Sequence, residues 1–191
     1  MAAANDWELL ASLLRYPEGD AAADAGRCAE ALEASDPQAA EHVRAFLGET
    51  RGLSPGDLQA LFTSTFDLDP VCSLEVGWHL FGENYERGEF LVKMRNELRR
   101  LGLPESSELP DHLTHALAAL GRMEPEEAGE FAAACLYPAL DKMLAGITRK
   151  PNPYQSILRA VIHLLESRHG RFVPEPVPAE PVFRILNSGG A

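Results

Sequence analysis

No stretch of this chain reads as a nucleotide loop, a metal cage or an export leader. The pattern G-x-x-x-x-G-K-[ST] occurs nowhere, which excludes a standard phosphate-binding loop. Cysteines number three, Cys28, Cys72 and Cys135, far apart and without a C-x-x-C pair. Neither a disulfide framework nor a zinc knuckle is expected, and a reducing cytoplasm is the natural compartment. No apolar run approaches the roughly 20 residues a membrane span requires. The opening residues MAAANDWELL carry neither the basic nor the apolar region of an export signal. Arg99 and Arg100 lie inside a helical stretch and are no twin-arginine leader. Cations are scarce too: 17 Lys and Arg face 29 Asp and Glu, a net charge of -12. That balance disfavours nucleic acid and anionic membrane as partners and favours a basic one. The acids are unevenly spread, with ten Asp and Glu against three Lys and Arg in residues 1–50.

What is present is helical periodicity, with strand alternation nearly missing. At 191 residues the chain is long enough for one domain with a sizeable core. Trp7, Leu10, Ala11 and Leu14 form a first stripe that ends at Tyr16 and Pro17. Alanine-rich helices are expected near residues 20–34 and 37–48, where Asp36 caps the second and Pro37 takes its first turn. Ser54 and Asp57 bracket Pro55 and Gly56 as a capping box. Behind it Leu58, Leu61, Phe62, Thr65 and Phe66 recur at core spacing. Asp69 and Pro70 stop that helix.

A short helix with Leu74, Trp78 and Phe81 follows and halts at Gly82. Residues 84–101 make the longest clean helix, with Leu91, Met94, Leu98 and Leu101 facing in and Gly102 as its end. Pro110 is expected to start the next, which carries Leu113, Ala116, Leu117 and Leu120. Residues 124–147 are helical but hold Pro138, which predicts a kink or split near Tyr137. Tyr154, Ile157, Leu158, Val161, Ile162 and Leu165 mark a last helix.

The fold class is therefore all-α: a single-domain bundle of about eight to ten helices. The domain is expected over residues 1–173, and residues 174–191 form a Pro-rich extended or disordered tail. Within that tail Val182, Phe183, Ile185 and Leu186 are suited to pinning part of it to the body.

Candidate chemistry is thin. His112 and His115, beside Asp111, supply half a metal site at most, and nothing nearby completes it. Asp67, Asp69 and Glu75 suit helix capping and loop stabilisation better than carboxylate catalysis. Cys72 and Ser73 near His79 lack the strand-to-helix elbow of a nucleophile site. No catalytic residue, metal or cofactor of its own is expected. Trp78, Phe81 and Phe66 surround an irregular acidic loop, which suits either plain core or the lining of a recognition groove.

Several segments, taken in order, carry a resemblance: Leu13 to Pro17 (LLRYP); Phe66, Asp67 and Leu68; Cys72, Ser73 and Leu74; the turn of residues 82–88 with Arg87 and Gly88; and Leu109, Pro110, Asp111, His112 and Leu113. Together they resemble the nitrate reductase delta-chain family, the NarJ-type molybdenum-cofactor assembly chaperones. The likeness spans residues 9–165, nearly the whole domain. Departures are Glu75, Val76 and Gly77, where the family usually has aromatics, and Gly82 with Glu83, where it commonly has Gly-Asp.

The resemblance implies an all-helical cytoplasmic binder, not an enzyme. Its partner would be the apo catalytic subunit of a molybdopterin oxidoreductase, held through its N-terminal leader until molybdenum cofactor is inserted. On that basis a helix-in-groove mode is expected. Phe66, Leu68, Trp78 and Phe81 would form the apolar groove, and Asp67, Asp69, Glu83 and Glu86 would meet basic residues. Arg87, Gly88, Pro110 and Asp111 are expected to be structural, joining helices across the turn of residues 82–88. The chain is expected to act as a monomer or weak dimer. The other classes are an accessory subunit of a respiratory complex and, last, a small metal-dependent enzyme.

Overall fold

A computed structural model describes residues 5–171. Its elements are α1 (Asp6–Ser12), α2 (Ala21–Ser35), α3 (Pro37–Glu49), α4 (Pro55–Phe62), α5 (Val76–Phe81) and α6 (Tyr85–Arg100). There follow α7 (Leu113–Leu120), α8 (Pro125–Phe131), α9 (Tyr137–Ile147) and α10 (Tyr154–His169). Two π-helical segments, Thr63–Asp67 and Ala132–Leu136, extend α4 and join α8 to α9. The all-α expectation holds for the described residues; the tail of residues 174–191 lies outside them.

Local signals explain most of the boundaries. Asp36 accepts a hydrogen bond from the Ala39 N–H at 3.0 Å and caps α3, with Pro37 in its first turn. Ser54 and Asp57 form the reciprocal capping box of α4. The break expected near Tyr137 is the second π segment, ending one residue before Tyr137. Pro138 has no N–H to give and crowds the preceding turn, and a widened turn relieves both.

Two helices form the centre. On α10, Tyr154, Ile157, Leu158, Val161, Leu164 and Leu165 are all buried, and α3 and α9 pack against it. α7 is buried on nearly every side, as an apolar helix must be. It touches α1 and α6, while α5 sits on α6 and α9.

Two expectations need correction. On α6 the inward residues are Phe90, Met94, Glu97 and Leu98, with Leu91 only half-buried. Both stripes share Met94 and Leu98; Phe90 wins because its ring packs against Phe81 of α5, centroids 5.5 Å apart. Glu97 is tolerated inside because Arg100 binds it through Nε at 3.0 Å. Pro110 does not start α7. It lies in a buried turn, and α7 begins at Leu113 with His112 as N-cap. The residue between, Asp111, is occupied elsewhere.

An isolated antiparallel bridge pairs Glu75 with His112. The Val76 N–H donates to the Asp111 carbonyl at 2.9 Å and the Leu113 N–H to that of Leu74 at 2.8 Å. The loop leading into this bridge rests on α9 at Gly146, where a Cβ would stand 2.8 Å from the Val71 carbonyl oxygen.

Candidate functional site

The first π segment shapes the site. Thr65 donates its hydroxyl to the Leu61 carbonyl at 2.6 Å and accepts from the Asn152 amide at 2.8 Å. The Leu68 N–H then reaches back to the Thr63 carbonyl, one residue further than in an α-helix. The widened turn sets Phe66 in the core, 4% exposed, with Phe62 and Tyr154 rings at 5.1 Å. Asp67 and Leu68 are left outside, Leu68 at 74% exposure.

Two clefts meet there. The larger, about 820 Å³, runs beside α7 between Tyr16 on one wall and residues 103–108 on the other. The smaller, about 440 Å³, is bounded by Pro70, Leu74, Trp78 and Arg87. Asp67, Glu108 and His112 line both. Asp67, Glu75 and Glu108 line the smaller cleft against one cation, Arg87, so it is net acidic. Burial pushes the Glu75 carboxyl up, and the charge of Asp111 adds to it. At the far end of the larger cleft Glu8 faces Arg122 at 3.5 Å.

Trp78 is half-buried in the wall. Its indole N–H donates to the Pro70 carbonyl at 2.8 Å, and the Arg87 guanidinium lies 5.5 Å from its ring centroid. Arg87 stands 3.9 Å from Asp111, which is fully buried. Asp111 accepts from the Gly77 N–H at 2.9 Å and so caps α5 from a distant part of the chain. Gly77 has to be glycine: a Cβ there would stand 2.7 Å from that carboxylate and 2.9 Å from the Phe90 ring. Burial drives the Asp111 carboxyl up, while Arg87 and the Gly77 N–H oppose the rise.

The remaining residues singled out in the sequence disperse. Asp69 turns its carboxylate to the Val71 N–H at 3.1 Å. Phe81 packs on Phe90 and lines neither cleft. Glu83 and Glu86 are exposed around the start of α6, also outside both clefts. Gly88 lies on the outer face of α6, and Pro110 is buried. Sequence reasoning missed Glu108, Tyr16 and Arg122. The one signal for Glu108 was its place just before the Leu109, Pro110 and Asp111 motif.

The histidines serve the scaffold. His112 Nδ1 receives both the Thr114 hydroxyl at 2.7 Å and the Thr114 N–H at 3.3 Å, so the ring is neutral with its proton on Nε2. Burial, with His115 and Arg15 nearby, pushes its pKa down to about 4. His115 donates Nδ1–H to the Leu109 carbonyl and accepts from the Ser106 hydroxyl. His79 donates to the Ser73 carbonyl at 2.7 Å. The neighbouring Cys72 thiol is pushed up by burial, the opposite of nucleophile activation. Among the described residues no group of three or more His, Cys, Asp or Glu side chains is placed to hold a metal. No described helix is long and apolar enough to cross a membrane.

The clefts are acid-lined. The chain is 32% identical over 126 residues to the nitrate reductase molybdenum cofactor assembly chaperone NarJ of Escherichia coli strain K12, covering 64% of this chain and 53% of that protein. The same figures hold for NarJ of Escherichia coli O157:H7. The chain thus spans about half the length of the curated relatives it matches. Residues 21–156, well over half the chain and including the acidic junction, match the family described as nitrate reductase delta subunit. By that match the chain belongs to the nitrate reductase delta subunit family.

Proposed function

We propose that this protein is a cytoplasmic assembly chaperone. It binds the N-terminal segment of the apo catalytic subunit of a molybdoenzyme, nitrate reductase or another member of the dimethyl-sulfoxide reductase superfamily. It holds that subunit until molybdenum cofactor is inserted and then releases it, acting as a monomer or weak dimer. The observation that carries this reading is the meeting of two clefts at Asp67 and Glu108, beside an exposed Leu68 and a half-buried Trp78. Names of relatives that assemble nitrate reductase support the choice of client.

Binding combines two effects. Apolar burial against Leu68 and Trp78 supplies most of the affinity, at about 25 cal/mol per Å². Basic residues of the client meet Asp67 and Glu108, each exposed pair adding about 0–1 kcal/mol and fixing register. Reversible holding requires about micromolar affinity, roughly -8 kcal/mol.

Titration with the client's N-terminal peptide, followed by Trp78 fluorescence, tests the proposal. Wild type is expected to bind near micromolar, and Asp67→Asn with Glu108→Gln to bind several-fold more weakly with a flatter salt dependence. Asp69→Asn is expected to bind like wild type, since Asp69 is turned to its own loop. No binding by wild type overturns the proposal.

A further inference from the structure

We propose that the outer face of α6 is an interface for a second copy of this chain, with the two α6 helices packed antiparallel about a two-fold axis. The interface uses neither cleft and so stands apart from the chaperone reading.

Tyr85 is 81% exposed and Val92 57%, one on each side of Gly88 along the helix. Large apolar side chains that gather in solvent mark an interaction surface. These do gather: at i, i+3 and i+7, Tyr85, Gly88 and Val92 share one face. With Glu89 and Lys93 they frame a notch of about 310 Å³. A Cβ at Gly88 would meet nothing within 4 Å, so the floor of the notch is bare helix open to a visitor. Glycine there lets two helices approach toward the lower end of the roughly 8–10 Å at which they pack.

Charge selects the visitor. A chain of net charge -12 repels its own kind except where a face is locally balanced. α6 is such a place, with Glu86, Glu89 and Glu97 against Arg87, Lys93, Arg95, Arg99 and Arg100. The charges are also sorted: Glu83, Glu86 and Glu89 lie around its start, and Lys93, Arg95, Arg99 and Arg100 toward its end. Arg95 and Arg99 already hold Glu105, and Arg100 holds Glu97 and Glu127, so an acidic partner would compete with those pairs. An antiparallel copy lays each acidic start along the other's basic half instead.

Seating Val92 over Gly88 of the second copy fixes the register. At 1.5 Å per residue, Glu86 then falls about 1.5 Å along the axis from Lys93 of the second copy, and Glu89 about 3 Å from it. At about 100° per residue all three lie on one flank of the face, and a two-fold axis brings like flank to like flank. The α6 residues that line the clefts, Arg87 and Leu98, lie about 140° and 120° round the helix from Val92. Pairing therefore leaves both clefts open. One pair of helix faces belongs among interfaces below about 1,200 Å², so the dimer is transient.

Sedimentation of the full chain at concentrations up to about 1 mM tests the interface. Wild type is expected to dimerise, Glu89→Lys to weaken the dimer about tenfold, and Glu89→Lys with Lys93→Glu to restore it. A wild type that stays monomeric, or charge reversal without effect, overturns the proposal. Cys28, Cys72 and Cys135 are all buried, so a cysteine placed on this face reacts selectively. In this register the two copies of residue 89 lie about 3 Å apart along the axis, and those of residue 96 about 18 Å. A short thiol crosslinker is expected to join Glu89→Cys chains and to leave Asn96→Cys chains single; any other pattern overturns the proposal. Neither measurement uses the client, so a failed client titration sinks the chaperone reading without touching this one.

Discussion

Asp111 and His112 are neighbours in the chain with opposite demands. Asp111 brings a carboxylate into a fully buried place because the Gly77 N–H and Arg87 meet it there. Asp111→Ala leaves that N–H without its acceptor and is expected to cost about 1–3 kcal/mol in urea unfolding, with Asp111→Asn milder. His112 is neutral in the folded chain down to about pH 4, whereas in the unfolded chain it takes a proton near 6.5. The unfolded state therefore binds more protons between those values. Stability contributed by His112 is complete above about pH 6.5 and falls by up to about 3 kcal/mol as pH drops to about 4. Burial lowers His79 as well, with the same sign; Asp111, raised, acts against both. His112→Asn keeps a capping side chain and loses the titration, so its thermal midpoint is expected to vary less than wild type's between pH 7 and 4.5.

At the level of elements, the π segment decides which residues face the cleft. Thr65→Val removes the hydroxyl that holds the Leu61 carbonyl and leaves the Asn152 amide without its acceptor. A loss of about 1–2 kcal/mol is expected on denaturation, with weaker client binding as Asp67 shifts. The run from Leu58 to Phe66 was legible as an apolar face, yet nothing in its spacing announced a widened turn. One of the two partners of Thr65 there, Asn152, lies 87 residues further along the chain. The break before Pro138 was legible because proline acts on its own helix. The α6 register was not, since Phe90 and Leu91 fit the same periodicity and only the contact with Phe81 separates them.

Across the whole molecule, helix content and the acidic balance could be read from the sequence, but the cleft could not. Its junction joins Asp67 to Glu108 and His112, brought together by the bridge between Glu75 and His112. Of the acids expected at the site, Asp67 remained at the junction, while Glu83 and Glu86 fell outside because α6 turns away after Gly82. The overall charge of -12 still matters at long range. Association with a basic client peptide is expected to slow several-fold between 50 and about 300 mM salt, measured by stopped-flow fluorescence, while dissociation changes little.

Because the Val71 carbonyl and the Val71 and Cys72 side chains press directly on the bare backbone of Gly146, the position of this loop is inherited from α9. The flanking residues Pro70 and Ser73, which line the smaller cleft, are thus set in advance. A visiting segment has only itself to order, and the entropy lost on capture falls mainly on the guest.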